Sequence, residues 1–316
     1  MQNDYFSIPR DLYEDIHQNP GAYLSYYDYH GRQCAKHVDA SEKSISLKID
    51  KKVSEDVKRS FENILAAKRL QGNLGGAGLQ EYIASHLHNT FLLKFDIVKC
   101  FNSISFDLFE NAASHKLQNM SLIKSFYFRP NLLVGLAASA VIAEVVLIKV
   151  IDNFLNTLLN SAEFKGKGVE YTRYYDDIYL SSQDELLLAD LQARLTKRLM
   201  DNGFQISKKK SSLSKMENST ILKNRINNGR VSVGRRFKNN LRRQIYIHNP
   251  DASDLQSIGK TISELNGLIG KISHILRTET SPSQKWYDLQ NDYIHDLEEF
   301  QAMRDQLLME NIGSQF

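Results

Sequence analysis

The spacing of apolar residues predicts a chain of alternating helices and short strands. Apolar residues at helical intervals predict helices over 54–70, 79–89, 106–126, 140–160 and 184–202, and across most of the last third. Aromatic and β-branched runs predict strands around 23–49 after an N-terminal helix, at 91–97, on both sides of a turn within 169–182, and at 204–207. The order of these elements indicates an α+β fold with a strand–helix–strand–strand core.

Residues 132–150 form a long apolar stretch, but its charges argue against a membrane span. Glu144 lies near the middle of the stretch and Lys149 near its end, and a charged side chain in mid-bilayer is costly. Glu144 also falls near one helical stripe with Asp152 and Asn156, opposite a stripe of apolar residues. The pattern therefore predicts a buried amphipathic helix in a protein without a membrane segment.

The composition narrows the class of protein. Of 316 residues, 42% are hydrophobic and only 5 are proline and 16 glycine, which excludes a disordered or collagen-like chain. The two cysteines, Cys34 and Cys100, cannot make a disulfide framework or a four-cysteine zinc site. The first residues lack the basic region and apolar stretch of a signal peptide. We therefore expect a folded protein of the reducing cytoplasm, with no membrane association.

Charge is distributed unevenly along the chain, although the net charge is only +3. Residues 194–243 carry 15 lysines and arginines against two acids, for a net charge of +13. The flanking segments are acidic, at −4 for residues 1–193 and −6 for residues 244–316. A basic segment of this density is a candidate surface for a polyanion such as nucleic acid, and a solvated helix face is the alternative.

Three acids are candidates for chemistry. Asp176 and Asp177 form the only Asp-Asp pair and lie at the predicted turn within 169–182, while Asp96 ends a predicted apolar strand. A solvated turn would also explain the pair, because aspartate favours turns. An acid ending a buried strand is costly unless it has a partner. If the two strands are adjacent, the three carboxylates converge, which is the arrangement for two-metal phosphoryl transfer.

Several segments in this order resemble the motifs of reverse transcriptases. Residues 95–104 (FDIVKCFNSI) resemble motif A, and residues 174–177 (YYDD) resemble the YxDD of motif C. Residues 133–139 form a degraded motif B, residues 203–211 resemble motif D, and residues 231–246 resemble the start of a thumb. Together these segments indicate an RNA-directed DNA polymerase, with the resemblance covering residues 60–275.

The resemblance implies an α+β right-hand polymerase with fingers, palm and thumb. The palm would be a ferredoxin-like antiparallel sheet with helices, and the thumb would be helical. The fingers would take residues 1–90 and part of 106–130, the palm residues 91–230 with motifs A to D, and the thumb with the C-terminal helices residues 231–316.

The resemblance also assigns roles to residues of the palm. Asp96 and Asp176 would be the main ligands of two Mg²⁺ ions, or of Mn²⁺, with Asp177 and the carbonyl of Ile97 in support. Phe101 would be the steric gate against a ribose 2′-hydroxyl, a role compatible with its being a core aromatic. Other nucleotide contacts would come from Gly135, Ser139 and Lys210, of which Lys210 could protonate the leaving pyrophosphate. The template–primer backbone would lie on Arg235, Arg236, Lys238, Arg242 and Arg243.

Two bacterial subgroups share features with this chain. Residues 231–235 (VSVGR) and His86 resemble retron reverse transcriptases, although Ile221-Leu222-Lys223 replaces their Val-Thr-Gly. Residues 139–144 (SAVIAE) instead resemble motif B of abortive-infection and other defence-associated enzymes, where a glutamate replaces the usual asparagine. The resemblance therefore leaves the subgroup open within bacterial antiphage defence.

Partners follow from the same resemblance. They would be a non-coding RNA template, dNTPs, a DNA product, and an effector protein or a second reverse transcriptase. The alternative interpretation is a polymerase fold that acts without a template, or without catalysis as a nucleic-acid-binding scaffold in defence. The three acids argue against the scaffold, since a protein that only binds has no need of converging carboxylates.

Overall fold

The computed structural model describes residues 22–39, 45–62, 65, 79–113, 123–124, 126–128 and 130–313. The chain divides into two compact units, one of Met1–Gly76 with Asn89–Ser214 and one of Ala77–His88 with Lys215–Phe316. These limits differ from the expected borders at residues 90 and 230, which stay a prediction. Among the described residues no helix is both long and apolar enough to cross a bilayer. The predicted N-terminal helix and the glycine-rich segment 72–78 lie outside the described residues.

The first unit is built on a four-stranded sheet. Its strands are β3 (Phe91–Asp96), β6 (Glu170–Tyr174), β7 (Asp177–Ser182) and β8 (Ser212–Lys215), in the spatial order β6-β7-β3-β8. β7 runs antiparallel to both β3 and β6. Helices separate β3 from β6 and β7 from β8, so the order is that of a ferredoxin-like β-α-β-β-α-β unit. The predicted α+β fold with a ferredoxin-like palm sheet is confirmed.

Helices cover this sheet and complete its core. α4 (Ala137–Leu147), a π-helical turn at Ile148–Asp152 and α5 (Asn153–Leu159) form one continuous segment, and α6 (Glu185–Asp201) packs on β3 and β7. α4 is buried on nearly all sides rather than amphipathic, and Glu144 and Asp152 are each only 1% exposed. Their expected place on a polar stripe opposite the apolar one is therefore corrected: both acids face a buried cation, which is described below.

A hairpin and a helix precede the sheet. β1 (Leu24–Tyr29) pairs antiparallel with β2 (Arg32–His37), and α1 (Ile45–Ser60) packs against α4. Strands were expected up to residue 49, but Ile49, Val53 and Val57 recur every four residues and are all buried on a helix. The carboxylate of Asp50 in α1 accepts hydrogen bonds from the first amides of α4, at 2.8 Å and 2.7 Å. This contact caps α4 from a neighbouring helix.

Short elements join these parts of the unit. α3 (Phe106–Ala113) packs against α4, and β4 (Tyr127–Phe128) pairs with β5 (Asn131–Leu132). The strand predicted at 204–207 is reduced to one bridge, between Ile97 and Ile206. Pairing stops there because the chain turns at residues 208–210. The strand that lies beside β3 in the sheet is β8 instead.

The second unit is mostly helical. Its three-stranded sheet has the order β11 (Arg230–Val233), β10 (Asn224–Asn227), β9 (Thr220–Ile221), with both pairs antiparallel. α7 (Arg235–Ile247), α8 (Leu255–Thr278) and α9 (Gln284–Gly313) pack around a core that includes Leu241, Leu265 and Trp286. The short helix α2 (Leu79–Ala84) also contacts α8. The C-terminal third is therefore helical, as the sequence predicted.

Candidate active site

Two strand ends bring the three acids to one edge of the palm sheet. The buried residues of β3, such as Leu93 and Phe95, fix its register with β7, and this register places Asp96 directly opposite Asp177. Asp176 lies one residue earlier, in the tight turn between β6 and β7. The convergence expected from the sequence is thus present in the backbone, because adjacent strands carry the acids at matching ends.

The electrostatics of the acids are coupled. Burial raises the pKa of Asp176 above its usual value, and the nearby charge of Asp96 raises it further, while Arg32 and Lys210 lower it. Lys210 Nζ lies 3.1 Å from Asp96 Oδ1, although the lysine side chain itself is 63% exposed. Burial lowers the pKa of Lys94, against the charge of Asp177. The acids therefore lie among cations, on a partly desolvated surface.

The donor set suits a hard divalent cation. Within the described ranges, no three His, Cys, Asp or Glu side chains are grouped as a metal cage. Mg²⁺ in polymerases needs no such cage, since one or two carboxylates hold it together with substrate phosphates and water. Asp96 and Asp176 are close enough for one charge to raise the pKa of the other, a repulsion that a bound cation would relieve. Their chemistry therefore fits the predicted ions.

An open pocket of about 350 Å³ lies beside these acids. The β1–β2 hairpin contributes Tyr29, His30 and Arg32 to its lining, and the palm contributes Asp96, Lys99 and Lys210. The turn of the hairpin has positive φ at His30 (52°) and Gly31 (71°), which favours glycine, and a Cβ at Gly31 would lie 2.9 Å from Lys99 Nζ. The pocket thus collects three cations around one carboxylate.

Sequence reasoning did not identify Arg32 or Lys99 as site residues. A usable signal was present, because the pair His30-Gly31 follows the aromatic-rich segment 23–29 and is typical of a turn, and Arg32 comes directly after it. What the pattern could not supply was the position of this hairpin next to motif A.

Asn102 fastens the hairpin to the palm. Its Oδ1 accepts from the Gln33 amide at 2.9 Å, and its Nδ2 donates to the carbonyls of Gln33 (3.1 Å) and Leu132 (2.9 Å). The amide of Ala35 also donates to the carbonyl of Val134, at 2.9 Å. β1 pairs with one side of β2 and these bonds hold the other side, and this fixes where Arg32 enters the pocket.

The predicted nucleotide contacts have different surroundings. Phe101 lies half-buried in the 3₁₀ turn Cys100–Ser103 and packs against the core, next to Asn102 in the sequence. Gly135 has a φ of +105°, and a Cβ there would lie 2.6 Å from the carbonyl oxygen of Ala35. Ser139 is fully buried, and its hydroxyl has no hydrogen-bond partner in the part of the chain that the structure describes. In this conformation a nucleotide has no direct access to Ser139, and the three roles stay predictions.

A buried ion cluster lies behind the turn that carries Asp176. Arg173 in β6 is fully buried and contacts both carboxylate oxygens of Glu144, at 2.8 Å and 3.0 Å, and Asp152 Oδ2 at 2.6 Å. Burial alone would lower the pKa of Arg173, but Asp152 and Glu144 raise it well above its ordinary value. Sequence analysis singled out Glu144 but not its partner, Arg173.

The basic residues of α7 belong to the second unit. Four of the five predicted nucleic-acid contacts have exposed side chains: Arg235, Arg236, Arg242 and Arg243. Lys238 is the exception, because it forms an ion pair with the buried carboxylate of Glu279. His86, also in this unit, is fully buried, and burial lowers its pKa to about 4, so it stays neutral near pH 7. The assignment of α7 to nucleic acid stays a prediction.

Comparison with solved structures finds polymerases. The apo telomerase of Candida tropicalis matches with a TM-score of 0.53 at 9% identity, over 88% of this chain and 58% of that chain. The RNA-dependent RNA polymerase of BmCPV at elongation state matches with a TM-score of 0.51 at 14% identity, over 92% of this chain and 27% of that chain. This chain therefore spans less than two thirds of either structure, and the likeness is one of fold.

The sequence comparisons define the family. A search of curated proteins finds no match. A family model described as reverse transcriptase (RNA-dependent DNA polymerase) matches residues 40–226, which is more than half of the chain and includes motifs A, B, C and D. With the ferredoxin-like palm sheet and the acids at its edge, the chain belongs to the reverse transcriptase family of RNA-directed DNA polymerases, which are nucleotidyltransferases.

Proposed function

We propose that this protein is an active RNA-directed DNA polymerase whose site is the edge of the palm sheet at Asp96, Asp176 and Asp177. The observation that carries the proposal is the register of β3 and β7, which places two acids opposite each other and the third in the adjoining turn. Magnesium, when bound, would activate the primer hydroxyl and stabilise the charge that develops on the phosphates. Asp96 and Asp176 would hold it, with Asp177 and the carbonyl of Ile97 in support.

The pocket beside the acids suits a nucleoside triphosphate. Arg32, Lys99 and Lys210 bring three positive charges to a space of about 350 Å³, next to the carboxylate of Asp96. Lys210 contacts Asp96 directly, so it is within reach of a phosphate bound there and could protonate the leaving pyrophosphate. Phe101 would exclude a ribose 2′-hydroxyl from the same pocket. The substrates we propose are therefore dNTPs.

The catalytic assignment is tested by removing single carboxylates. D96N and D176N should abolish Mg²⁺-dependent dNTP incorporation on an RNA template and leave RNA binding and thermal unfolding close to wild type. D201N is the matched control, because Asp201 is an exposed acid whose partner is a surface lysine, a kind of pair that contributes little. Full incorporation by both D96N and D176N would refute the assignment.

The same assay separates the alternatives. A nucleic-acid-binding scaffold predicts no incorporation by the wild-type protein with Mg²⁺ or Mn²⁺, together with normal RNA binding. A template-independent polymerase predicts incorporation when the template is omitted. The template-independent alternative is included because motif B supports the template base in the family, whereas Ser139 and Glu144 of this segment are buried.

The biological setting we propose is antiphage defence in the bacterial cytoplasm. What supports it is the resemblance of residues 139–144 to defence-associated motif B and of residues 231–235 to retron enzymes. The template would be a dedicated non-coding RNA, and an effector protein or a second reverse transcriptase would be a further partner. Sequencing the nucleic acid that copurifies with the protein tests this: one recurrent RNA with its DNA copy is expected, and a random sample of cellular RNA would argue against it.

A further inference from the structure

The turn that carries Asp176 contains a strained residue. Tyr175 has a φ of 52°, in the left-handed region that residues with a side chain adopt at a cost. Asp176 follows it directly, so the conformation at Tyr175 sets the direction from which the carboxylate of Asp176 leaves the chain. A strained residue next to a proposed ligand needs a contact that holds it.

Arg173 makes that contact. Its Nη1 donates a hydrogen bond to the carbonyl oxygen of Tyr175 at 2.8 Å, two residues further along the chain. The guanidinium is planar and presents its donors in a rigid fork, so its orientation determines where this bond points. The remaining donors of Arg173 decide that orientation.

Two acids from the motif B segment fix the fork. The two carboxylate oxygens of Glu144 in α4 accept hydrogen bonds from Nη1 and Nη2, one each. Asp152 in the π-helical turn accepts from Nη2 and Nε. The hydroxyl of Tyr171 donates to the other oxygen of Asp152. All three charged side chains are at most 2% exposed. The fork therefore has a single orientation, with one donor left for Tyr175.

We propose that Arg173 is a positioning residue for the metal-binding turn, and that Glu144 and Asp152 hold it in place. The acids of α4 and the π-helical turn orient the guanidinium, the guanidinium holds the carbonyl of Tyr175, and Tyr175 sets the position of Asp176. Glu144, with both oxygens bound and 1% exposure, acts on this turn and not on the nucleotide. The inference rests on the proposed function, in which Asp176 is a metal ligand.

The first test is R173K, which keeps the charge but lacks the fork. A lysine has one ammonium on a flexible stem, so it cannot hold Glu144, Asp152 and the Tyr175 carbonyl in this geometry. We expect kcat to fall by about tenfold or more, with the KM for dNTP nearly unchanged. Isothermal titration with Mn²⁺ alone, without substrate, should show affinity weakened by about tenfold.

A rescue experiment separates positioning from a purely structural role. Glycine adopts the left-handed region without the Cβ penalty, so Y175G should keep the turn without the clamp, while Y175A removes the ring and retains the penalty. The loss of kcat caused by R173K should be smaller in the Y175G background than in the Y175A background, by about fivefold or more. Equal losses in the two backgrounds would overturn the proposal.

Further variants keep the outcomes distinct. If thermal unfolding shows that R173K is not folded, E144Q serves instead. This variant removes one of the hydrogen bonds to Nη1 or Nη2 and removes one negative charge from a cluster with two acids and one cation. E144Q should then lower kcat and Mn²⁺ affinity together, and wild-type values of both would refute the inference. Full activity in both D96N and D176N would instead overturn the proposed function itself, whatever the result for Arg173.

Discussion

Gly135 offers a quantitative test of how the hairpin and palm fit together. The residue has a φ of +105°, and a Cβ built there would lie 2.6 Å from the backbone carbonyl oxygen of Ala35 in β2. G135A therefore adds two separate costs. The φ value disfavours any residue with a side chain, at about 1–2 kcal/mol, and the overlap with a backbone atom adds about 1–3 kcal/mol.

Gly166 is a matched control in the same unit. It also has a positive φ, +79°, but nothing lies within 4 Å of a Cβ built there. G166A should therefore show the backbone cost alone, about 1–2 kcal/mol. The free energy of unfolding, measured in urea by circular dichroism, should fall further for G135A than for G166A, by about 1–3 kcal/mol.

The same pair of variants has a functional readout. The amide of Ala35 is bonded to the carbonyl of Val134, and β2 begins with Arg32, so a displaced β2 moves Arg32 relative to the pocket. G135A should raise the KM for dNTP, while G166A should leave it unchanged. Equal losses of stability together with an unchanged KM in G135A would refute the argument that the close approach at Gly135 positions the hairpin.

Three further predictions concern other residues. F101A should admit ribonucleotides. Unchanged discrimination between dNTP and NTP in primer extension would mean that Phe101 acts only as a core residue. Replacing Arg235, Arg236 and Arg242 by alanine should flatten the plot of log K for RNA binding against log salt by about two to three units, and parallel plots would contradict the contact. Because burial lowers the pKa of His86 to about 4, the unfolded chain binds more protons between that value and its ordinary pKa of 6.5. Stability should thus fall by about 2 kcal/mol from about pH 7 to pH 5, and H86L should remove that dependence in urea unfolding.

The palm was predictable because local patterns carry it. The run at 91–97 and the paired segments within 169–182 became β3, β6 and β7, since aromatic and β-branched residues flank a short turn. The acids followed, because Asp96 ends one strand and Asp176-Asp177 begin at the adjoining turn. Here the local pattern places each acid at the end of a strand or in the adjoining turn, and antiparallel pairing of the strands brings the acids together.

The approach of the hairpin was not predictable from local pattern. It depends on bonds between residues far apart in sequence, such as Gln33 with Asn102 and Ala35 with Val134. The sequence analysis assigned roles to Gly135 and Phe101 from the family resemblance, but the structure adds a local reason for Gly135, which leaves room for β2. Arg32 could only be recognised as a site residue once β2 had been placed.

The ion cluster behind the turn shows why motif B and motif C must be considered together. Taken alone, Glu144 suggests a polar contact in motif B, and Asp152 lies one helical segment further on. Burying one arginine with two acids is a poor way to gain stability, since well-packed apolar side chains of similar size are often as good or better. The cluster does have an effect that apolar packing cannot reproduce, because only a hydrogen-bond donor can hold the Tyr175 carbonyl. The glutamate in motif B and the arginine before YYDD are therefore best explained as one hydrogen-bonded unit that sets the conformation of the turn at Asp176.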